Sequence, residues 1–259
     1  MVSHNAEGII TMKRIALAVA VAMGSVVGLG HAANVPSYVS TAVADKARPE
    51  KDTARDADRK PAEIMTLAGV SPGKRVVDVG PGAGYYLRII SRIVGAKGHV
   101  YGFNPTWVAE KFPVAPHGVT TLASNGYANV ESVVQAMADI KIEPKVDIIF
   151  ISQLYHDQHW QKVDIAKMNK AIFDTLKPGG IYFIIDHIGR GVSTVEQIDK
   201  VHRIDPSIVR EEVLAAGFEL VTDSDLLRNP YDLGDKSVFD PTIRGHTDQF
   251  IFKFRKPRR

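Results

Sequence analysis

The chain has no cysteine among its 259 residues. Disulfides, thiolate zinc sites, Cys-ligated iron–sulfur clusters and a Cys nucleophile are therefore excluded. It also lacks a strong charge imbalance: 32 Lys and Arg face 29 Asp and Glu, a formal net charge of +3. That balance argues against nucleic-acid binding by bulk charge, although Lys253, Arg255, Lys256, Arg258 and Arg259 form a basic tail. Long apolar runs are nearly missing. The one uncharged stretch of note, Ile15 to Gly30, has 16 residues, several of them Gly, Ala or Ser, where a membrane span wants ~20 apolar ones. No internal repeat and no Gly-x-Ser-x-Gly elbow of a serine hydrolase occurs. What remains is 45% hydrophobic and 24% charged, enough for a packed core in one or two domains.

The uncharged stretch follows Lys13 and Arg14 and ends in Gly30, His31, Ala32 and Ala33. A short positive region, an apolar stretch and small residues are the parts of a secretory signal peptide. Residues 1–33 are read as that signal, with cleavage after Ala32 or Ala33; Met12, just before Lys13, is an alternative start that would leave Met1 to Thr11 as an upstream extension. The alternative is an uncleaved anchor helix. This segment has no Arg-Arg pair of a twin-arginine signal, and there is no Cys to lipidate. The expected location is periplasmic or secreted, with no membrane span left after cleavage.

Residues 34–62, rich in alternating charge, read as a lead-in with one or two solvated surface helices. From residue 63 to 259 the chain alternates strands and helices. Pro61 opens a short helix, Ala62 to Ala68, that Gly69 ends. Arg75 to Val79 is a β-branched run between turn residues, hence a strand. Tyr85 to Val94 has apolar residues at helical spacing, closed by Gly95. Strands follow at His99–Phe103, Val130–Val134, Val146–Ile151, Ile181–Ile185, Phe218–Thr222 and Gln249–Phe254. Helices are expected at Trp160–Leu176 and Pro206–Ala216, and a long loop from Asp223 to Asp248 carrying Tyr231, Phe239, Arg244 and His246. Such alternation implies an α/β fold with a parallel sheet covered on both faces and a ligand site at the C-terminal strand ends.

Between the first strand and its helix lies Asp78-Val79-Gly80-Pro81-Gly82-Ala83-Gly84. Glycines there allow a sharp turn and close approach of a ligand. A dinucleotide fingerprint wants Gly or Ala at the sixth position, and Tyr85 stands there. It also wants an acid about twenty residues on, where Asn104 stands. A P-loop lysine is missing too. The loop is thus suited to something other than a pyrophosphate.

Val76 to Gly84 resembles the first motif of class I S-adenosylmethionine-dependent methyltransferases. Leu176-Lys177-Pro178-Gly179-Gly180 with Ile181 to Ile185 is similar to that family's turn and fifth strand. Glu211 to Glu219 resembles its last helix and sixth strand. A closer resemblance is to a group of predicted exported bacterial methyltransferases, in which Gly84-Tyr85-Tyr86, Tyr155-His156-Asp157 and His202-Arg203-Ile204-Asp205 are typical. The resemblance implies a Rossmann-like seven-stranded sheet, mostly parallel with an antiparallel last strand and helices on both faces. It implies S-adenosylmethionine as cofactor, with Gly80, Gly82 and Gly84 against its methionine part. Asp78 would hold the loop or reach the amino group. Asn104 would take the ribose position, without the charge-assisted bonds of the usual carboxylate. Asp139 would lie near the adenine and Tyr155 along the cofactor.

Methyl transfer from a sulfonium is an in-line displacement in which alignment matters most. An oxygen or nitrogen nucleophile can also need a base. His156 is the expected base, with Asp157 orienting it and His187 in a second cluster with Asp186, His202 and Arg203. The plainer alternative has Asp157 capping the long helix and His156 packing at its start. Arg190 and Arg203 are read as anion holders or as surface charges. His156, Asp157, His159, Asp186, His187 and His202 include metal-ligand types, but His156-Asp157-x-His159 lacks helical ligand spacing, and no metal is assigned. The expected acceptor is a small molecule. A non-catalytic nucleoside- or metabolite-binding protein and a metal-assisted enzyme on the same fold stay open, as does the oligomeric state.

Overall fold

Seven strands form one sheet in the computed structural model of the chain, which describes Met1 and residues 34–258. The elements run α1 (Ser37–Val43), α2 (Glu50–Thr53), α3 (Asp56–Arg59), α4 (Pro61–Ala68), β1 (Arg75–Val79), α5 (Tyr85–Val94), β2 (His99–Pro105), α6 (Thr106–Lys111), α7 (Val114–Ser124) and β3 (Val130–Gln135). They continue with β4 (Val146–Ser152), α8 (Tyr155–Trp160), α9 (Ile165–Thr175), β5 (Leu176–His187), α10 (Val195–Val201), α11 (Pro206–Ala215), β6 (Glu219–Ser224) and β7 (Gln249–Arg255). The expected signal segment and the start at Met12 lie outside the described residues.

The strand order is β3-β2-β1-β4-β5-β7-β6. β1 to β5 pair in parallel, and β7 enters antiparallel between β5 and β6. The Rossmann-like sheet with its antiparallel last strand is therefore as expected. Side chains alternate across it, as strand geometry demands. Val77, Val79, Ile149 and Ile151 pack on one face. Val76, Ile148 and Phe150 pack on the other, against α1, α4 and α5. Gly102 in β2 has a reason to lack a side chain: a Cβ there would stand 2.6 Å from Val119 Cγ1 of α7.

Four expectations need correction. The single helix over Trp160–Leu176 is two helices. Lys162 adopts a left-handed φ of 55°, and the chain restarts at Asp164, whose carboxylate accepts from the Lys167 N–H. Asp157 does not cap; the N-cap position of α8 is Leu154, with no side-chain cap. Residues 34–62 are not merely a solvated lead-in, since Val39 and Ala42 join the core. The buried Arg48 grips Asp56 with two 2.7 Å bonds, and Arg88 of α5 holds the buried Asp52 at 2.7 Å. Part of the segment's charge thus ties it together or to α5, where Arg92 also pairs with Asp45. Phe218, expected in the sixth strand, precedes it, and Leu220 is the residue paired with Phe254.

The loop 225–248 contains no helix or strand but is firmly tied. Fully buried Asp248 accepts from Arg228 Nε at 2.8 Å, Arg190 Nη2 at 3.1 Å and the Asn229 N–H at 2.8 Å. Fully buried Arg203 donates to the carbonyls of Lys236 and Ile188 and pairs with Asp232 at 2.9 Å. Arg190 and Arg203 thus brace the loop rather than hold a substrate.

Candidate active site

The strand order changes direction between β1 and β4, and two cavities open at the C-terminal strand ends there. The first, about 250 Å³, is lined by Asp78, the loop Gly80–Ala83 and Ser152–Leu154 after β4, with Arg55, Arg59, Tyr85 and Tyr86. Gly80 and Gly82 take left-handed φ of 65° and 53°. A Cβ at Gly80 would come within 2.5 Å of Leu154 Cδ2, whereas Gly82 faces open space. Gly84 opens α5, also left-handed at 84°.

Asp78 is 3% exposed and its Oδ2 has no hydrogen-bond partner. Burial pushes its carboxyl up to about 8, against a smaller downward pull from Arg59. Asn104, one position past the β1–β2 pairing, is fully buried, and neither its Oδ1 nor its Nδ2 is paired. Buried polar atoms without partners are rare and costly. Here they fall at the ends of adjacent strands, beside a glycine loop. Asn104 lines neither cavity, so a ligand reaching it needs the wall above it to part.

The second cavity, about 450 Å³, shares Arg55, Arg59, Tyr86 and Gln153 with the first. Its other walls include His187, Gln249 and the loop residues Phe239, Arg244 and Thr247. Arg59 donates to Gln153 Oε1 at 3.1 Å and lies 4.8 Å over the Tyr85 ring. Among the described residues, Arg55, Arg59 and Arg244 make no ion pair. Asp58, on the same wall, is 3.4 Å from His246. The chamber is therefore electropositive.

His156 is not the free base expected from the sequence. Its Nδ1 meets Asp186 Oδ1 at 2.7 Å and its Nε2 lies 3.2 Å from Asp157 Oδ1. Burial alone would lower this imidazole, but the carboxylates of Asp186 and Asp157 outweigh it and lift it to about 10. It is a buried cation lining neither cavity, so it has no proton vacancy to offer. Asp157 is held well below the usual carboxylate range by His156 and His202, against the opposing effect of burial. His187 does line the chamber. Its Nδ1 bonds Thr247 Oγ1 at 2.7 Å, and burial, with His156 and Arg203 nearby, takes it down to about 3. His187 is thus a neutral imidazole with Nε2 left for an occupant.

Two further expectations are not met. Tyr155 is fully buried with its hydroxyl donating to Glu212 at 2.8 Å and accepting from Asn169, and it lines neither cavity. Asp139 is exposed and ion-paired with Lys167. The sequence reading overlooked Arg55, Asp58 and Arg59. A signal existed: Arg55 and Arg59 stand four apart, the spacing that puts side chains on one helical face.

The profile of a family described as protein-L-isoaspartate(D-aspartate) O-methyltransferase matches residues 31–106, the glycine loop included. A protein-L-isoaspartate O-methyltransferase of Methanococcus maripaludis is 28% identical over 148 residues, which is 56% of this chain and 60% of that protein. The chain thus spans about 60% of the length of that relative. Among solved structures, a SAM-dependent methyltransferase from Aquifex aeolicus superposes with a TM-score of 0.56 at 22% identity, over 78% of this chain and 92% of that one. An arsenic(III) S-adenosylmethionine methyltransferase from Chlamydomonas reinhardtii gives 0.52 at 16% identity, over 86% and 74%. The cyclase SpnF gives 0.57 at 19% identity, over 78% and 82%. The chain thus has the fold of class I S-adenosylmethionine-dependent methyltransferases, and its first strand–loop–helix unit is similar in sequence to the protein-L-isoaspartate O-methyltransferase family.

Proposed function

We propose that the protein binds S-adenosylmethionine at the glycine loop and transfers its methyl group to a small acceptor bearing negative charge. The observation that carries this reading is the buried Asp78, its Oδ2 without a partner, beside the open face at Gly82, in a cavity that shares walls with an arginine-lined chamber. Asp78 supplies a carboxylate for an ammonium, and the backbone from Gly80 to Gly82 leaves room for a methionine chain. The unpaired amide of Asn104 offers one acceptor and two donors to ribose hydroxyls. The cofactor brings an electrophilic methyl on sulfur. The protein's own task is then to align the nucleophile and exclude water. Arg55, Arg59 and Arg244 would hold the acceptor's charge. His187 Nε2, neutral across the physiological range, would orient the attacking atom by a hydrogen bond.

Incubation with methyl-labelled S-adenosylmethionine and a periplasmic extract tests this. The label is expected in a small-molecule fraction that an anion exchanger retains, and Gly82→Arg, which fills the open side of the loop, is expected to abolish it. Label confined to protein, or retained in Gly82→Arg, contradicts the reading. The cyclase on the same scaffold is a reminder that fold alone does not set a reaction.

The proposal includes export, resting on Lys13-Arg14, the stretch Ile15 to Gly30 and the small residues ending at Ala33. N-terminal sequencing of the native protein is expected to begin at Ala33 or Asn34. An intact Met12 contradicts it.

A further inference from the structure

The cluster that fails as a catalytic base has the makings of something else. His156 and Asp157 begin α8, and His202 ends α10, yet the three converge. One ligand-type atom from each lies within 4.8 Å of the others. His156 Nε2 is 3.2 Å and His202 Nδ1 is 3.3 Å from Asp157 Oδ1. Both are longer than the 2.7 Å bonds that Asp186 and Trp160 make in the same cluster. Ligands ~2.0–2.1 Å from a tetrahedral ion stand ~3.3 Å apart, so these separations match two edges of such a site.

We infer that His156, Asp157 and His202 form a binding site for a first-row divalent transition ion of the zinc type. Two imidazole nitrogens and one carboxylate oxygen suit such an ion, whereas magnesium and calcium prefer oxygen alone. The surroundings have the form of an outer coordination shell. Asp186 accepts from the His156 ring at Nδ1 and from the backbone N–H of His156 and of His187, which fixes the imidazole with Nε2 toward Asp157. A carboxylate behind a ligating histidine is the usual way to set its tautomer and orientation. Trp160 Nε1 fixes Asp157 in turn at 2.7 Å. His202 has a left-handed φ of 53°, a conformation a non-glycine residue holds only when its surroundings impose it. Its ring stands edge-on to Trp160, His156 and Phe239. An ion would take the place of the proton on His156 Nε2 and leave the bond to Asp186 intact. It would tie α8, α10 and the end of β5 together just behind His187 and Phe239, two walls of the larger cavity.

The full chain, stripped with a chelator and titrated with Zn²⁺ against a chromophoric competitor, tests this. One equivalent is expected to bind at submicromolar concentration. Asp157→Asn and His202→Asn are each expected to weaken binding at least ~100-fold, and Asp186→Asn ~10–100-fold, as outer-shell changes do. Asparagine is chosen at position 202 because it tolerates the left-handed backbone. His99→Gln, on the far β2 strand end, is expected to bind as the parent does. Circular dichroism identifies variants that fail to fold; if Asp157→Asn is one, the less buried His202→Asn decides. No uptake of Zn²⁺ below ~100 µM by the parent, or equal uptake by folded His202→Asn, overturns the inference. The cluster would then be only an imidazolium between carboxylates.

Discussion

Asp78→Asn is expected to make the protein more stable while weakening S-adenosylmethionine binding at least ~100-fold. The carboxyl is enclosed by protein, has one oxygen without a partner and is pushed up to about 8 by burial. An unfolded aspartate releases its proton near 3.9. Between about pH 4 and about pH 8 the folded state therefore carries one proton more than the unfolded state. Stability falls with rising pH across that window and levels off above it. Each unit of displacement corresponds to at most ~1.4 kcal/mol, so the full penalty is several kcal/mol as an upper bound. The amide carries no charge and escapes the penalty. It also removes the carboxylate that would meet the cofactor's ammonium, which explains why a costly group stands there. Urea melts of both proteins at pH 5 and pH 8.5 check this: the advantage of the variant grows with pH. Equal stability at both pH values contradicts it.

Arg203→Ala is expected to cost ~3–5 kcal/mol, the range for removing one partner of a buried ion pair. Arg203 is fully buried, pairs with Asp232 at 2.9 Å and donates to two carbonyls from separate segments. Asp232 in turn accepts from the backbone N–H of Asp248 at 2.7 Å. Losing the guanidinium strands a buried carboxylate and unties the loop 225–248 that supplies Phe239, Arg244 and Thr247 to the larger cavity. Lysine is expected not to rescue, because one ammonium cannot reach three acceptors held in a fork. Urea melts give the energy, and limited proteolysis within 225–248 gives the location. A loss under ~1 kcal/mol contradicts the bracing role.

The parts of this molecule legible in its sequence are those set by neighbours along the chain. β1 and α5 have the bounds that the β-branched run, the glycines and the helical spacing indicate. The glycine loop is legible for the same reason: left-handed backbone at Gly80, Gly82 and Gly84 leaves a local mark. The break at Lys162 was hidden because nothing in Gln161-Lys162-Val163 is a strong helix breaker, and only the capping Asp164 hints at it. The role of His156 was illegible. Asp186, which fixes its charge, lies 30 residues away and arrives through β4–β5 pairing. Arg203 next to a histidine resembles a substrate holder until its burial is seen. Tyr155 likewise has a core partner, Glu212, 57 residues on. Arg55 and Arg59 were masked by a run of charges that as a whole looks like a solvated helix face, though Arg48 and Asp56 in it pair with each other and Asp52 pairs with Arg88 of α5.

Calorimetric titration of the full chain with S-adenosylmethionine tests the central claim most directly. One equivalent is expected to bind with a dissociation constant on the order of micromolar, about −8 kcal/mol. A folded protein that yields no binding heat up to millimolar S-adenosylmethionine, and whose melting temperature the ligand leaves unmoved, would contradict the account.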